Sequence, residues 1–142
     1  MNLFLDTEFN GFGGELISLA LVPETGSPWY EVLAIPTDPD PFVTQHVLPK
    51  LERAPLGPRL FHDSLSEYLL RYYDATVIAD WPADFEHLCN QLTYRGREKG
   101  WCLPVTLTMK LINTPALNPV NPHNALSDAE ALRDWYVAQS HA

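Results

Sequence analysis

A chain of 142 residues, 46% of them hydrophobic, is sized for a single domain spanning 1–142 with a core of its own. No apolar run reaches the roughly 18 residues of a membrane-spanning helix. A net charge of −9 argues against a protein that grips long nucleic acid by its backbone, though not against one that handles a chain end. The N-terminus lacks the basic region and long apolar segment of a secretory leader. The two cysteines, Cys89 and Cys102, form no CxxC pair and no zinc-type cluster with the five histidines. A reduced, cytoplasmic protein is expected.

Asn2-Leu3-Phe4-Leu5 is a short apolar run that enters Asp6-Thr7-Glu8. On a strand, side chains alternate, so Asp6 and Glu8 leave the same face about 7 Å apart. Two carboxylates that close at the end of a buried strand repel each other unless something positive sits between them. No lysine or arginine lies near them in sequence, and a divalent metal is the usual answer, because hard cations take carboxylate oxygens. The glycine-rich residues 9–14 are followed by no Gly-Lys-Ser/Thr, which favours a turn between antiparallel strands over a phosphate loop. Residues 16–22 and 29–35 read as the second and third strands of an antiparallel meander.

Asp40-Pro41 resembles an N-cap followed by proline at the first helical position, opening a short helix through Val47 that Pro49 ends or kinks. Pro55 and Pro58 suggest a loop, and Phe61, Leu65, Tyr68, Leu69 and Tyr72 form a helical stripe over about 63–73. Residues 76–79 are a short strand entering Asp80-Trp81-Pro82-Ala83-Asp84. Phe85, Leu88, Cys89 and Leu92 then repeat at helical spacing, with Pro82 near the start and Gly96 past the end. Asp84 falls in the first turn of that helix. Arg95, Arg97 and Lys99 are a local basic cluster. Residues 103–108 read as a strand, which Pro104 assigns to an edge. After the Asn- and Pro-rich loop 113–122, Ser127-Asp128-Ala129-Glu130 is a capping box. It opens a helix with the stripe Ala129, Leu132, Trp135 and Tyr136, placing Asp128 at the first helical position and His123 in the loop before it.

Acids thus stand at the tips of core elements in three places: Asp6 with Glu8, then Asp84, then Asp128. Either helix aspartate alone is accounted for by the helix dipole, and His123 alone would be an ordinary loop histidine. Their coincidence points to a site. Asp-x-Glu on a first strand, Asp at the start of a mid-chain helix and His-x-x-x-x-Asp before a C-terminal helix together resemble the DEDD exonucleases of the histidine type. These are 3′→5′ exonucleases with a ribonuclease H-like fold, among them oligoribonuclease, RNase T and polymerase proofreading subunits. The resemblance spans residues 3–136 and rests on Leu5-Asp6-Thr7-Glu8-Phe9, on Val77-Ile78-Ala79-Asp80-Trp81-Pro82-Ala83-Asp84-Phe85 and on His123-Asn124-Ala125-Leu126-Ser127-Asp128-Ala129. In the second motif Ala79 and Asp80 stand where the family has His and Asn. The family ligand maps onto Asp84, with Asp80 a rival or auxiliary acid. The small bacterial exoribonuclease branch is the most similar.

The resemblance implies an α/β, ribonuclease H-like fold: a mixed sheet of about five strands, a meander of three followed by parallel strands, flanked by helices. It implies a metal-dependent 3′→5′ exonuclease, RNA favoured over DNA, that acts on single-stranded 3′ ends and releases nucleoside 5′-monophosphates. Two Mg²⁺ or Mn²⁺ ions roughly 3.5–4 Å apart would serve each site. Asp6, Glu8 and Asp128 would hold one; Asp6 would bridge to the other, which Asp84 contacts directly or through water. His123 would take the proton from the attacking water. Several members of the family dimerise, so a homodimer is expected by analogy. Thr7, Phe9 and Trp81 are the expected substrate contacts, the two aromatics by stacking on a terminal base, whereas Phe12 is expected in the core. The alternatives are a catalytically silent nucleic-acid or nucleotide-binding module of the same fold, or a dinucleotide phosphodiesterase.

Overall fold

The computed structural model describes residues 1–93 and 107–142, and the acid-tipped N-terminal segment is the central strand of its sheet. β1 (Asn2–Phe9), β2 (Leu16–Pro23) and β3 (Trp29–Val32) pair antiparallel in succession. On the other side of β1, β4 (Thr76–Ala79) runs parallel to it, and β5 (Thr108–Leu111) runs parallel to β4. The result is a five-stranded mixed sheet in the order β3-β2-β1-β4-β5, flanked by helices, as an α/β chain with a meander followed by crossovers requires.

Strand alternation divides the core in two. Leu3 and Leu5 of β1 face a cluster with Leu19, Leu21, Val77 and the helices α2 (Pro58–Leu70) and α3 (Pro82–Leu92), which contribute Phe61, Leu65, Leu69 and Leu88. Phe4 faces the opposite cluster with Ala20, Val22 and Ile78. That side is covered by α1 (Pro41–His46), through Val43, and by α4 (Ala125–Ser140), through Ala125, Ala129 and Leu132. No helix among the described residues is long and apolar enough to cross a membrane.

Four elements depart from the sequence expectation. α2 starts at Pro58 rather than 63, because a proline at the first helical position gives up only an N–H that has no helical partner anyway. Tyr72 falls beyond that helix yet still packs on its cluster. α4 is capped by Asn124, whose side chain accepts from Ser127 N, so the helix begins before the expected Ser127 cap. β3 stops at Val32 instead of 35. β5 begins at Thr108, where the expected strand 103–108 ends, and is one of the sheet's two edge strands. Residues 103–106 of that strand, with Pro104, and Arg95, Gly96, Arg97, Lys99 and Cys102 lie outside the described residues.

The glycine-rich segment is a hairpin turn. Asn10 N–H donates to Glu15 O at 2.9 Å and Gly14 N–H to Gly11 O at 3.0 Å. A Cβ on Gly14 would lie 1.8 Å from the Asn10 carbonyl oxygen, whereas one on Gly13 (φ +75°) meets nothing within 4 Å. Gly14→Ala is therefore expected to cost about 3 kcal/mol or more by forcing the backbone apart. Gly13→Ala should cost only the left-handed penalty of about 1–2 kcal/mol. Urea unfolding distinguishes them; equal losses would contradict the close approach at Gly14.

Candidate metal centre

Pairing between β1 and β4 covers Asn2↔Thr76 to Phe4↔Ile78 and then stops. The second half of β1 projects past its parallel neighbour, and a crevice opens at the carboxyl ends of both strands, the usual ligand position in α/β sheets. Asp6 and Glu8 alternate onto the face of Phe4, toward α4; Thr7 alternates onto the face of Leu3 and Leu5, toward α3. Acids from both layers thereby converge on one strand end.

Glu8, His123 and Asp128 offer ligand atoms that all lie within 4.8 Å of one another. Asp6 and Asp84 line the same cleft, about 660 Å³ in volume. Asp84 is 2% exposed. Its Oδ1 accepts from the Thr7 N–H at 3.1 Å and the Thr7 hydroxyl at 2.6 Å, but its Oδ2 is buried without a partner. Asp128 repeats the pattern: Oδ2 accepts from the His123 backbone N–H at 3.1 Å, and Oδ1 is left buried and unpartnered.

The electrostatics follow from this crowding. Burial, then the carboxylates of Asp84, Glu8 and Asp128, push Asp6 well above the usual carboxylate range. Burial and then Asp128 raise Glu8 to about 8. Asp84 rises to about 7, mainly through burial, against the opposing pull of the Thr7 hydroxyl. Burial also raises Asp128, with Glu8 and the His123 N–H holding it down in part. Among the described residues, neither this cleft nor the cavity beside it is lined by lysine or arginine. Buried acids without a basic partner, two of them with an orphaned oxygen, fit a hard divalent cation, and an oxygen-rich set with one imidazole suits Mg²⁺ or Mn²⁺.

No protein-family model matches this chain, and no curated protein matches it.

His123 sits at φ +67°, a left-handed conformation that costs a non-glycine residue on the order of 1–3 kcal/mol and concentrates at functional sites. The next residue holds it there. Asn124 is buried, its Nδ2 donates to Lys50 O at 2.8 Å, and its Oδ1 accepts from Ser127 N–H at 3.1 Å. The Ser127 hydroxyl, free of capping duty, accepts from Asn121 N–H at 2.8 Å. Both residues are good N-caps; the anchored one prevails, and Asp128 lies within the first turn of α4 instead of at its first position.

The remaining expected residues divide. Asp80 accepts from the Thr114 hydroxyl at 2.8 Å and lines an adjoining cavity of about 450 Å³ that shares Asp6, His123 and Asp128 with the main cleft. Asp84, not Asp80, is the acid that lines the cleft with Glu8. Thr7 reaches the cleft wall, but its hydroxyl and N–H are committed to Asp84, which makes it a support for that carboxylate. Phe9 lines the cleft and lies against His87 of α3, ring centroids 4.7 Å apart. Trp81 is exposed on the cleft wall, and Phe12, expected in the core, is 93% exposed at its mouth. The sequence reading missed Phe42, which is also exposed on the cleft; its only signal is its place directly behind the Asp40-Pro41 cap.

Unfolded carboxyls lose their protons near pH ~4, while Glu8 holds its proton to about 8 and Asp84 to about 7. A raised folded-state pKa contributes stability that is complete below the unfolded value and lost as pH rises through the folded one. The metal-free protein is expected to lose stability between about pH 4 and 8, and Glu8→Gln to restore on the order of 2–4 kcal/mol at pH 8. Thermal melting in EDTA at pH 5 and pH 8 measures this; an identical pH response in Glu8→Gln would place its source elsewhere.

Proposed function

We propose that this chain is a metal-dependent 3′→5′ exonuclease of the histidine-type DEDD kind, with a ribonuclease H-like arrangement of its sheet and helices. The observation that carries the reading is the convergence of Asp6, Glu8, Asp84, Asp128 and His123 on one cleft. Each of them was expected there from the motif order. Divalent ions held by Asp6, Glu8, Asp128 and the unpartnered oxygen of Asp84 would activate a water and stabilise a leaving 3′-oxygen. His123, beside Glu8 and Asp128, takes the proton of the attacking water, a task suited to an imidazole near neutral pH. Thr7 and the His123 backbone hold Asp84 and Asp128 by one oxygen each, which leaves the other oxygen of each for the cation.

The exposed rings of Trp81 and Phe12 line the cleft and supply stacking surface for a terminal base, worth roughly 1–3 kcal/mol per base. Such stacking is sequence-tolerant. A net charge of −9 suits a site that reads a short single-stranded end, for which RNA is the favoured polymer. A dinucleotide phosphodiesterase is the second reading. It draws support from the two cavities that meet at Asp6, His123 and Asp128, with room on either side of a phosphodiester.

Labelled RNA and DNA, single-stranded or with a 3′ overhang, incubated with Mg²⁺, Mn²⁺ or EDTA, test both readings. A ladder shortening from the 3′ end, blocked by EDTA and faster on RNA, is expected; cleavage confined to dinucleotides favours the second reading. Asp6→Ala and Asp128→Ala should abolish release of mononucleotides while the fold survives, and persistent cleavage in them would refute the assignment. His123→Ala should lower kcat by about 10²–10⁴ with metal binding retained. Binding without turnover on every substrate would make the chain a binding module instead.

A further inference from the structure

The catalytic reading leaves one segment without a role: Asn10, in the turn after the acids, and the short helix α1 that it touches. The Asn10 side chain clamps the approach to α1 from both sides of its amide. Its Oδ1 accepts from Asp40 N–H at 2.7 Å and its Nδ2 donates to Asp38 O at 3.0 Å. Asp40 in turn caps α1, accepting from Phe42 N–H at 2.9 Å. A helix of six residues cannot hold its own conformation or place in water, so its orientation is set by this cap and by burial of Val43 on its inner side. The outer side carries Phe42 and His46, with ring centroids 4.7 Å apart. Both rings meet His123, Phe42 at 5.1 Å and nearly perpendicular (85°), His46 at 6.0 Å.

His123 itself is fixed through its backbone, which donates to Asp128. Among the described residues, ring contacts rather than side-chain hydrogen bonds hold its imidazole. A general base is normally oriented by a further group that locks its ring, and here the nearer of the two rings that meet it is Phe42, at 5.1 Å against 6.0 Å for His46.

We propose that Asn10 and Phe42 are positioning residues for His123: Asn10 fixes α1 to the strand that bears Asp6 and Glu8, and Phe42 sets the angle of the imidazole beside Glu8 and Asp128. Base and acids are thereby referenced to one strand. The kinetic consequences rest on the exonuclease reading; the structural one does not.

Because a misplacement near 1 Å can cost about 10²-fold in rate, Asn10→Ala and Phe42→Ala are each expected to lower kcat about 10- to 100-fold with KM little changed, and Phe42→Tyr to restore it. The decisive comparison is made in the His123→Ala background, where neither substitution should cost anything further, since residues acting as one unit are non-additive. A multiplied loss there, or a raised KM with kcat intact, would make Phe42 a substrate contact and overturn the proposal. A second measurement needs no turnover: the ring-proton chemical shifts of His123 by NMR in the full chain. The ring-current contribution of Phe42 should vanish in Phe42→Ala and change in Asn10→Ala, while His141 at the C-terminus stays unmoved. Unchanged His123 shifts would overturn the positioning role even if the enzyme is active, and a wild type that cleaves nothing would remove the exonuclease reading while these shifts still decide the positioning.

Discussion

Mutual repulsion among Asp6, Glu8, Asp84 and Asp128 governs the architecture around the end of β1. Burial raises each of them, and neighbouring carboxylates raise Asp6, Glu8 and Asp84 further, whereas Glu8 and the His123 N–H hold Asp128 down in part. The chain answers that repulsion only in part. Thr7 gives Asp84 two hydrogen bonds and the His123 backbone gives Asp128 one, each to a single carboxylate oxygen. The opposite oxygens remain buried and unpartnered. Asp84 and Asp128 also stand in the first turns of α3 and α4, where the helix dipole contributes about 0.3–1 kcal/mol each. The effective desolvation cost of a buried ion is several kcal/mol. The dipoles therefore cannot keep four acids charged, and the balance is met by protons in the metal-free protein or by a cation.

The period of the central strand decides how such a cluster can be assembled. Because alternate residues of β1 face opposite layers, Asp6 and Glu8 reach α4 while Thr7 reaches α3. The early end of the β1–β4 pairing lets both layers meet at the strand tip. A one-residue slip of β1 would exchange the two faces and turn both acids toward α3, away from Asp128. The register is held by apolar side chains on each face, Leu3 and Leu5 on one and Phe4 on the other, all fully buried. Hydrophobic burial in the first half of the strand thus sustains the electrostatic strain at its tip.

Features encoded locally were legible in the sequence. The Asp40 cap, the strand 76–79, the Pro82 start of α3 and the hairpin after β1 stand where propensity and turn chemistry place them. Errors arose where two local signals compete and tertiary contacts choose between them. Pro58 serves equally as a loop breaker or a first helical residue, and Asn124 and Ser127 are both good caps until burial and the bond to Lys50 favour Asn124. The acids of the site were legible because motif spacing survives without tertiary knowledge. Thr7 as the support of Asp84, Asn10 as a clamp on Asp38 and Asp40, and the exposure of Phe12 were not, because each depends on a contact or its absence at long range.

The same charge balance constrains what such a site recognises. A protein at −9 repels a polyanion at long range, so attraction must come from short-range contacts. Along the main cleft these are the rings of Trp81 and Phe12, and the acid floor would become attractive to phosphate only with cations bound. On the proposed reading, metal and base stacking would act on the terminal unit, since among the described residues no lysine or arginine lines the cleft. Affinity built this way depends on divalent ions more than on counterion release. On the proposed reading, recognition of a short end would follow from the carboxylates gathered at the strand tip, through the cations they would hold.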